Sequence, residues 1–196
     1  MQTQPGSRKM WLDAAAQLLA EDGIDAVKIM PLAKKIKQTR TGFYWYFNNQ
    51  DELFKSLLEV WKQRTTEVLL ARCEVDCETL CDAVFGLMAL WIRADLFDAR
   101  LDRSVRNWAL RDSLPRAWLK RSDLLRHEAI SGVFERFGYG QAEASARAEL
   151  FLLAQSGHAV YPGSLHTPEG LLCLAEYLCG MKPTPSESRR FVDHSG

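Results

Sequence analysis

Residues 39–45 bring together side chains whose chemistry suits contact with a nucleic acid. The hydroxyls of Thr39 and Thr41 and the phenol of Tyr44 can hydrogen-bond to phosphate oxygens. Arg40 can pair with a phosphate or bidentately with a guanine edge, and Gly42 lets the backbone come close to a groove. The residues expected to face the nucleic acid are therefore Thr39, Arg40, Thr41, Gly42, Tyr44 and Trp45.

Aromatic and basic residues cluster around this segment. Residues 43–47 are five consecutive aromatics, which cannot all point inward from one helix. We expect Phe43 and Phe47, four residues apart, to face the core. Residues 28–40 include five basic side chains, and no acid lies between Asp25 and Asp51. On these features alone, an aromatic core beside a solvated basic face remains the alternative to a DNA-binding surface.

The elements that must position these residues are helices. Leucine outnumbers valine and isoleucine together almost two to one, which favours an all-α protein. Apolar spacing, caps and the glycine and proline positions predict helices near residues 7–21, 31–36, 40–47, 49–69, 78–94, 99–109, 115–137, 141–160 and 168–179. The short helices 31–36 and 40–47, joined by a turn of about three residues, have the spacing of a helix-turn-helix.

Two helix starts support this arrangement. Thr39 is placed to cap the second short helix, and Asn49 to cap the fourth helix, with Glu52 three residues on and able to reach back. Lys55, one turn into that fourth helix, can reach a phosphate. We also include Lys28, before the first short helix, among the DNA-binding candidates.

Composition and charge exclude several classes of protein. Lys plus Arg and Asp plus Glu each total 25, so the net charge is zero, which argues against a nucleic-acid coat protein but not against a local basic patch. The first ten residues lack an apolar core and no apolar run could cross a bilayer, so we expect no signal peptide, no membrane partner and a cytoplasmic protein. Five cysteines agree with a reducing compartment.

The sequence resembles the DNA-binding domain of the TetR family of regulators. The resemblance rests on residues 29–36, on Thr39-Arg40-Thr41-Gly42-Phe43-Tyr44-Trp45-Tyr46-Phe47, and on the helix start at residues 49–53. It covers residues 8–60 strongly, and the later helices resemble the ligand domain of one subgroup more weakly. Two positions depart from the family pattern, because Lys37 stands where a turn glycine is usual and Lys28 where a hydroxyl cap is usual. A non-glycine residue in a left-handed conformation costs about 1–2 kcal/mol, so the turn is either strained or differently shaped.

The resemblance implies a fold and a function. It implies an all-α protein with an N-terminal three-helix helix-turn-helix domain (residues 1–48) and a C-terminal helical ligand-binding and dimerisation domain (residues 49–181), followed by a disordered tail (residues 182–196). It further implies a homodimer that binds a near-palindromic double-stranded operator as a ligand-responsive regulator, in most cases a repressor. Small and apolar residues make up the expected dimer interface: Ala146, Leu150, Leu153, Gly157, Leu171, Leu174 and Leu178.

A pocket for a small apolar effector would be mostly apolar with a few polar groups. The candidates are Trp61, Phe85, Met88, Trp91, Trp108, Trp118, His127, Phe151 and His158. Taken alone, each of them is more often a packed core residue than a ligand contact. The sequence does not identify the effector.

Other functions were weighed against this one. The four-residue spacing of Cys73, Cys77 and Cys81 would place them on one helix face as a thiol sensor or soft-metal site, but we expect a helix break there and buried cysteine as a filler. We therefore expect no metal and no cofactor. The sequence lacks a phosphate loop, an HExxH motif and a nucleophile elbow, so we do not expect an enzyme. The alternatives are a DNA-binding architectural protein without small-molecule control and, further off, a helical enzyme.

Overall fold

The computed structural model describes residues 7–93, 95–161 and 167–193, and every regular element in these ranges is helical. This confirms the all-α class. A 3₁₀ turn at Ile24–Ala26 follows the first helix, and a π-helical turn at Gln63–Glu67 joins the fourth to the fifth. Within these ranges, no helix is both long and apolar enough to span a membrane. The helices are α1 (Arg8–Asp22), α2 (Ile29–Lys35), α3 (Arg40–Phe43), α4 (Gln50–Lys62), α5 (Val68–Cys73), α6 (Leu80–Ile92), α7 (Ala99–Ala109), α8 (Ser113–Arg136), α9 (Gln141–His158), α10 (Pro168–Cys179) and α11 (Pro185–Asp193).

Side-chain caps determine where several helices begin. Thr39, Asn49 and Thr167 each accept a hydrogen bond from the backbone N–H three residues further on, at 3.1, 2.9 and 3.1 Å. These bonds satisfy N–H groups that have no partner inside the helix. The caps predicted for α3 and α4 are therefore confirmed. α10 ends at Gly180, whose φ of 67° lies in the left-handed region that glycine adopts without strain.

The helix predicted for residues 40–47 is shorter in the structure. α-Helical geometry ends at Phe43, and the chain continues as a tighter turn in which the Tyr44 N–H donates to the Thr41 carbonyl and the Tyr46 N–H to the Phe43 carbonyl. Consecutive aromatic side chains lose rotamer freedom in a helix, which weakens the tendency to continue it. The aromatic segment is thus a short helix followed by a turn.

The disordered tail predicted for residues 182–196 is wrong for residues 185–193, which form α11. Thr184 and Glu187 cap this helix reciprocally: the Thr184 N–H donates to Glu187 Oε2 at 2.6 Å, and the Glu187 N–H donates to Thr184 Oγ1 at 3.3 Å. The Phe191 ring stacks on Phe85 with centroids 4.5 Å apart. The cap and the aromatic contact stabilise a helix here, although the polar composition of the segment predicted disorder. Residues 194–196 lie outside the described part of the chain.

The chain divides into two compact units. The first holds residues 7–64 and 100–120 of the described chain. Its core includes an internal hydrogen bond, from Trp61 Nε1 to Asp102 Oδ1 at 2.9 Å, and Asp102 also accepts from Arg106. The division into functional domains at residues 48 and 49 stays a prediction. The main buried side chains of the first unit are Trp11, Leu19, Leu32, Phe43, Phe47, Leu53, Leu57, Leu101, Val105 and Trp108.

The second unit holds the described residues among 65–99 and 121–193. Its core is built from α6, α8, α9 and α10, and α11 adds Phe191. The main buried side chains are Leu69, Val84, Phe85, Met88, Trp91, Ile130, Phe134, Ala148, Phe151, Leu171, Ala175 and Leu178.

A buried cation lies within the second unit. The Arg126 side chain is 1% exposed, and its guanidinium donates to Thr66 Oγ1 at 3.0 Å and to Thr65 Oγ1 at 2.8 Å. Both threonines belong to the π-helical turn, and the ring of Phe97 lies 5.8 Å from the guanidinium carbon. Because a buried charge is stable only with good hydrogen bonds, this contact ties α8 to the turn that precedes α5.

Candidate nucleic-acid interface

The turn between α2 and α3 is a glycine-type helix end with a lysine at its left-handed position. Lys37 has a φ of 55°, the one positive φ of a non-glycine residue among those described. Its N–H donates to the Lys34 carbonyl at 3.2 Å, and the Gln38 N–H donates to the Ala33 carbonyl at 2.8 Å. These two bonds are the Schellman pattern that closes a helix. The turn therefore has the shape that a glycine would give, and of the two possibilities drawn from the sequence the structure takes the strained one.

The aromatic residues of α3 and the following turn divide into an inner and an outer set. Phe43 and Phe47 are 0% and 1% exposed, and their rings stack with centroids 5.1 Å apart. Tyr44 and Trp45 are 47% and 76% exposed. Trp11 of α1 packs edge-on against Phe43 at 5.5 Å. The predicted inward placement of Phe43 and Phe47 is confirmed, and Tyr44 and Trp45 lie at the surface.

The polar residues beside them are also at the surface. Thr39, Arg40 and Thr41 are exposed, and Gly42 is half-buried. The Thr39 hydroxyl oxygen is occupied by the cap of α3, but its O–H can still donate to a phosphate. A methyl group at Gly42 would lie 3.5 Å from Thr39 Oγ1, which is ordinary contact. The folded chain therefore does not itself require glycine at this position.

The two flanking lysines lie on neighbouring elements of the same unit. Lys28 is exposed at the start of α2, where its side chain makes no capping hydrogen bond. Lys55 is exposed on α4. The start of α4 is held by Glu52, whose Oε2 accepts from the N–H of Asn48 at 2.9 Å rather than from the capping residue Asn49. This backbone hydrogen bond keeps the pKa of the Glu52 carboxyl below its ordinary value.

The nine predicted effector residues do not come together. Trp61, Trp108 and Trp118 belong to the first unit. There the indole N–H of Trp61 donates to Asp102, and that of Trp108 donates to Asp112 at 3.1 Å. These three residues pack within their own unit, so they do not line a pocket in the second. Periodicity shows that a side chain is buried but not which cluster it joins.

The other six lie in the second unit, where the rings of three of them are close together. The Trp91 ring on α6 lies 4.8 Å from Phe151 and 5.9 Å from His158, both on α9. Phe85 and Met88 are buried on the same helix as Trp91, and Phe85 stacks against Phe191. Near the other end of α9, His127 Nε2 lies 3.2 Å from the carbonyl oxygen of Ser145.

Sequence reasoning missed Gln155, which lies on α9 between Phe151 and His158. Its side chain is buried, and its amide Nε2 has no hydrogen-bond partner in the described chain. The signal was available, because the spacings of four and three residues place Gln155 on the same helix face as the two aromatic residues.

The predicted dimer residues divide by exposure. Ala146, Leu150 and Leu153 are exposed on α9, and Gly157 and Leu174 are half-buried. Leu171 and Leu178 must be corrected, since they are 4% and 0% exposed in the core of the second unit and cannot reach a partner. Two exposed residues of α10 and its end were missed, Tyr177 at 76% and Met181 at 55%. Leu174, Tyr177 and Met181 are three and four positions apart, so helical periodicity could have predicted that they share one face.

The cysteine segment is interrupted as expected. α5 ends at Cys73 and α6 begins at Leu80, so Cys73, Cys77 and Cys81 do not share one helix face. Burial raises the pKa of the Cys73 thiol to about 12. Burial also raises the pKa of Cys81. A thiol with a raised pKa is a poor nucleophile, so these two cysteines act as small apolar core residues.

Comparisons with known proteins find a family match near the N-terminus and two solved structures of similar fold. Residues 12–57 match the model of bacterial regulatory proteins of the tetR family. A transcriptional regulator from Rhodococcus sp. Rha1 shares 22% identity, with a TM-score of 0.69 over 89% of this chain and 95% of that one. A second Rhodococcus structure, assigned to the TetR family of transcriptional regulators, shares 14% identity with a TM-score of 0.60 over 96% of both chains. No curated protein matches the sequence. At these identities, the two structures establish the fold.

Proposed function

We propose that the chain is a transcriptional regulator of the TetR type, which represses transcription by binding a near-palindromic operator as a homodimer until a small ligand releases it. The match of residues 12–57 to the family model supports the DNA-binding part. The observation that carries the DNA-binding part is the division of residues 39–47. Phe43 and Phe47 anchor the segment in the core, while Arg40, Tyr44 and Trp45 stay exposed.

The exposed set matches the chemistry of the major groove. Arg40 supplies a planar donor group for a guanine edge or a phosphate, and the hydroxyls of Thr39, Thr41 and Tyr44 donate to phosphate oxygens. Lys28 at the start of α2 and Lys55 on α4 are exposed as well, and each can add a phosphate contact that orients the short helix on the duplex. A half-buried Gly42 leaves room for close approach of the backbone. These contacts provide both orientation and sequence readout.

An exposed apolar face on the second unit supports the homodimer. Leu150 is 45% exposed and Leu153 63% exposed on α9, while Tyr177 and Met181 are exposed beside α10. Apolar patches of this kind on a folded unit mark interaction sites. A second copy of the chain is the partner that gives two recognition segments for two half-sites, and two-fold symmetry of the protein then requires a near-palindromic operator.

Control by a small ligand follows from population shift. A ligand that binds one arrangement of the C-terminal helices more tightly than another increases the population of that arrangement. If this arrangement holds the two recognition segments out of register with successive major grooves, the operator is released. The ligand site proposed here lies in the second unit, at Trp91, Phe151 and His158, and no longer includes Trp61, Trp108 or Trp118.

Substitution of the recognition residues tests the proposal. Arg40→Ala and Tyr44→Ala should each weaken binding to DNA selected from the genome by about 1–3 kcal/mol while the helical circular dichroism signal stays intact. Tyr44→Phe removes the hydroxyl alone and should fall between Tyr44→Ala and the unmodified chain. Arg189→Ala, which removes an exposed arginine from α11, is the control for loss of charge. Unchanged binding in both alanine variants would contradict the assignment.

Footprinting separates the repressor from its alternatives. A repressor protects a short near-palindromic site and loses that protection with an inducing ligand. An architectural protein protects many sites and does not respond to small molecules. An enzyme protects none.

A further inference from the structure

Three buried hydrogen-bond donors of the second unit have no partner in the described chain. Two of them, the indole Nε1 of Trp91, a residue 7% exposed, and the amide Nε2 of Gln155, a residue 9% exposed, lie where α6 meets α9; the third is the hydroxyl of Ser131 on α8. A buried donor without an acceptor costs free energy, commonly about 1–3 kcal/mol. A native fold seldom retains two such groups in one place without a use for them.

The two donors belong to one stretch of the contact between α6 and α9. Phe151, Gln155 and His158 follow one another at spacings of four and three, so they share a face of α9. The Trp91 ring contacts both aromatic rings that flank Gln155, at 4.8 and 5.9 Å. Trp91 and Gln155 therefore both belong to this contact between α6 and α9, which the rings of Phe151 and His158 flank.

The rest of the chain shows how its buried indoles are satisfied. Trp61 and Trp108 each donate to a carboxylate, that of Asp102 and that of Asp112. Trp11 of the first unit also has an Nε1 without a partner. What distinguishes Trp91 is that a second buried donor without a partner, Gln155 Nε2, lies on the face of α9 against which its ring packs, so one acceptor atom could serve both.

We propose that Trp91 and Gln155 bind the carbonyl oxygen of a small, flat, apolar and uncharged ligand, such as an aromatic ketone, ester or amide. This inference rests on the ligand response proposed above and names the chemical class of that ligand. Both donors are neutral and so satisfy a neutral acceptor, whereas a buried carboxylate would need a cation to offset its lost hydration, which here would require a protonated His158. The rings of Phe151 and His158 provide faces against which a flat body can stack.

The indole N–H of Trp91 is a direct probe of this site. In a ¹⁵N-labelled sample of the full chain without DNA, the Trp91 side-chain resonance is identified by its loss in Trp91→Phe. Acetophenone should shift this resonance. 2-Phenylpropene, which has the same shape without the oxygen, should bind about five- to tenfold more weakly, because it leaves both donors unsatisfied. Benzoate should bind more weakly than acetophenone.

Variants of Gln155 test the second donor. Gln155→Leu should weaken acetophenone binding by about five- to tenfold and leave the affinity for 2-phenylpropene unchanged. The same variant should raise the Tm of the free protein, since it replaces an unsatisfied buried amide with an apolar side chain of similar size. Gln141→Leu, at the exposed start of α9, is the matched control and should change neither value.

Four results would overturn the inference. They are an unmoved Trp91 resonance at millimolar acetophenone, equal binding of the hydrocarbon, stronger binding of benzoate, and a lower Tm for Gln155→Leu, which would show that the folded chain or a bound water already satisfies the amide. The operator experiment is independent of these. Acetophenone binding by a chain that protects no DNA contradicts only the proposed function, and operator protection without acetophenone binding contradicts only this inference.

Discussion

At Lys37 the backbone takes a conformation that glycine adopts freely and lysine does not. The φ of 55° and the two closing hydrogen bonds place this residue at the left-handed position after α2. The strain has a local cause, since the turn must close α2 and begin α3 within a few residues. A single substitution can therefore relieve it.

Lys37→Gly should stabilise the protein by about 0.5–1 kcal/mol. Removing the side chain relieves a left-handed cost of about 1–2 kcal/mol, and the added freedom of glycine in the unfolded chain takes back part of that gain. Thermal unfolding followed by circular dichroism measures the change. Lys34→Gly removes the same charge from the interior of α2 and should instead destabilise by about 1 kcal/mol. A Tm for Lys37→Gly at or below that of the unmodified chain would contradict the prediction that Lys37 is strained.

At the scale of single residues, the sequence correctly predicted features that depend only on nearby positions in the chain. The spacing of Phe43 and Phe47 predicted their burial, and Thr39 and Asn49 were correctly identified as caps. The conformation of Lys37 could not be decided, because its sequence allowed either a strained turn or a different one. Gln155 was overlooked because its importance depends on the Trp91 ring, which lies far away in the sequence.

At the scale of the elements, the start of α4 depends on an ionised carboxylate. Glu52 accepts from the Asn48 N–H, and its pKa is lowered from 4.5. A carboxyl with a lowered pKa in the folded state contributes stability that is fully present above its unfolded value and is lost as the pH falls through the folded value.

Glu52→Gln should therefore flatten the acid side of the stability profile. The unmodified chain should lose this contribution as the pH falls below about 4.5, the ordinary value for the group, whereas the amide has no proton to gain. Urea unfolding at a series of pH values between 3 and 7 measures the difference. Glu59→Gln, on the exposed side of the same helix, controls for the loss of one charge. If the free energy of unfolding changes with pH in the same way for Glu52→Gln and the unmodified chain, the Glu52 carboxylate is not the cause of the acid-side loss.

The C-terminal helix α11 is held by contacts with distant parts of the second unit. Glu187 Oε1 accepts from the Thr79 hydroxyl at 2.6 Å, Arg190 donates to Asp82 at 2.8 Å, and Phe191 stacks on Phe85. The sequence of this segment is polar and short, so local patterns indicated a tail. Only the partners, more than 100 positions away, make the helix stable.

Phe191→Ala should destabilise the protein by about 3 kcal/mol, because Phe191 is 5% exposed and its loss leaves a cavity beside Phe85. Denaturant unfolding of the full chain measures this value. Val192→Ala, which trims a side chain 39% exposed on the same helix, is the control and should change stability by less than about 1 kcal/mol. Equal small effects of both substitutions would mean that α11 does not dock in solution.

For the whole molecule, the exposed apolar face of α9 is expected to hold two copies together. Leu153→Glu places a charge at its centre and should produce monomers in sedimentation velocity runs at micromolar concentration. Leu110→Glu substitutes a more exposed leucine of the first unit and should leave the dimer intact. Dimers that persist in Leu153→Glu would place the contact elsewhere.

The whole-molecule arrangement was the part least accessible from sequence. The class and most helix positions followed from apolar periodicity and caps, because those signals are local. The assignment of side chains to one core or the other could not be predicted, because it depends on contacts between distant parts of the chain. Trp61 and Trp91 look alike in sequence, but one bonds to Asp102 in the first unit and the other faces α9 in the second. The same limit explains why buried Leu171 and Leu178 were mistaken for interface residues.

The division of residues 43–47 into inner and outer aromatics also bears on which positions can change. Phe43 and Phe47 are buried in the core, while Tyr44 and Trp45 are 47% and 76% exposed. Substitutions at the outer positions should therefore cost less stability than those at the inner ones. Under the proposed function, a duplicated copy of this gene could acquire new target sites through a few such surface changes.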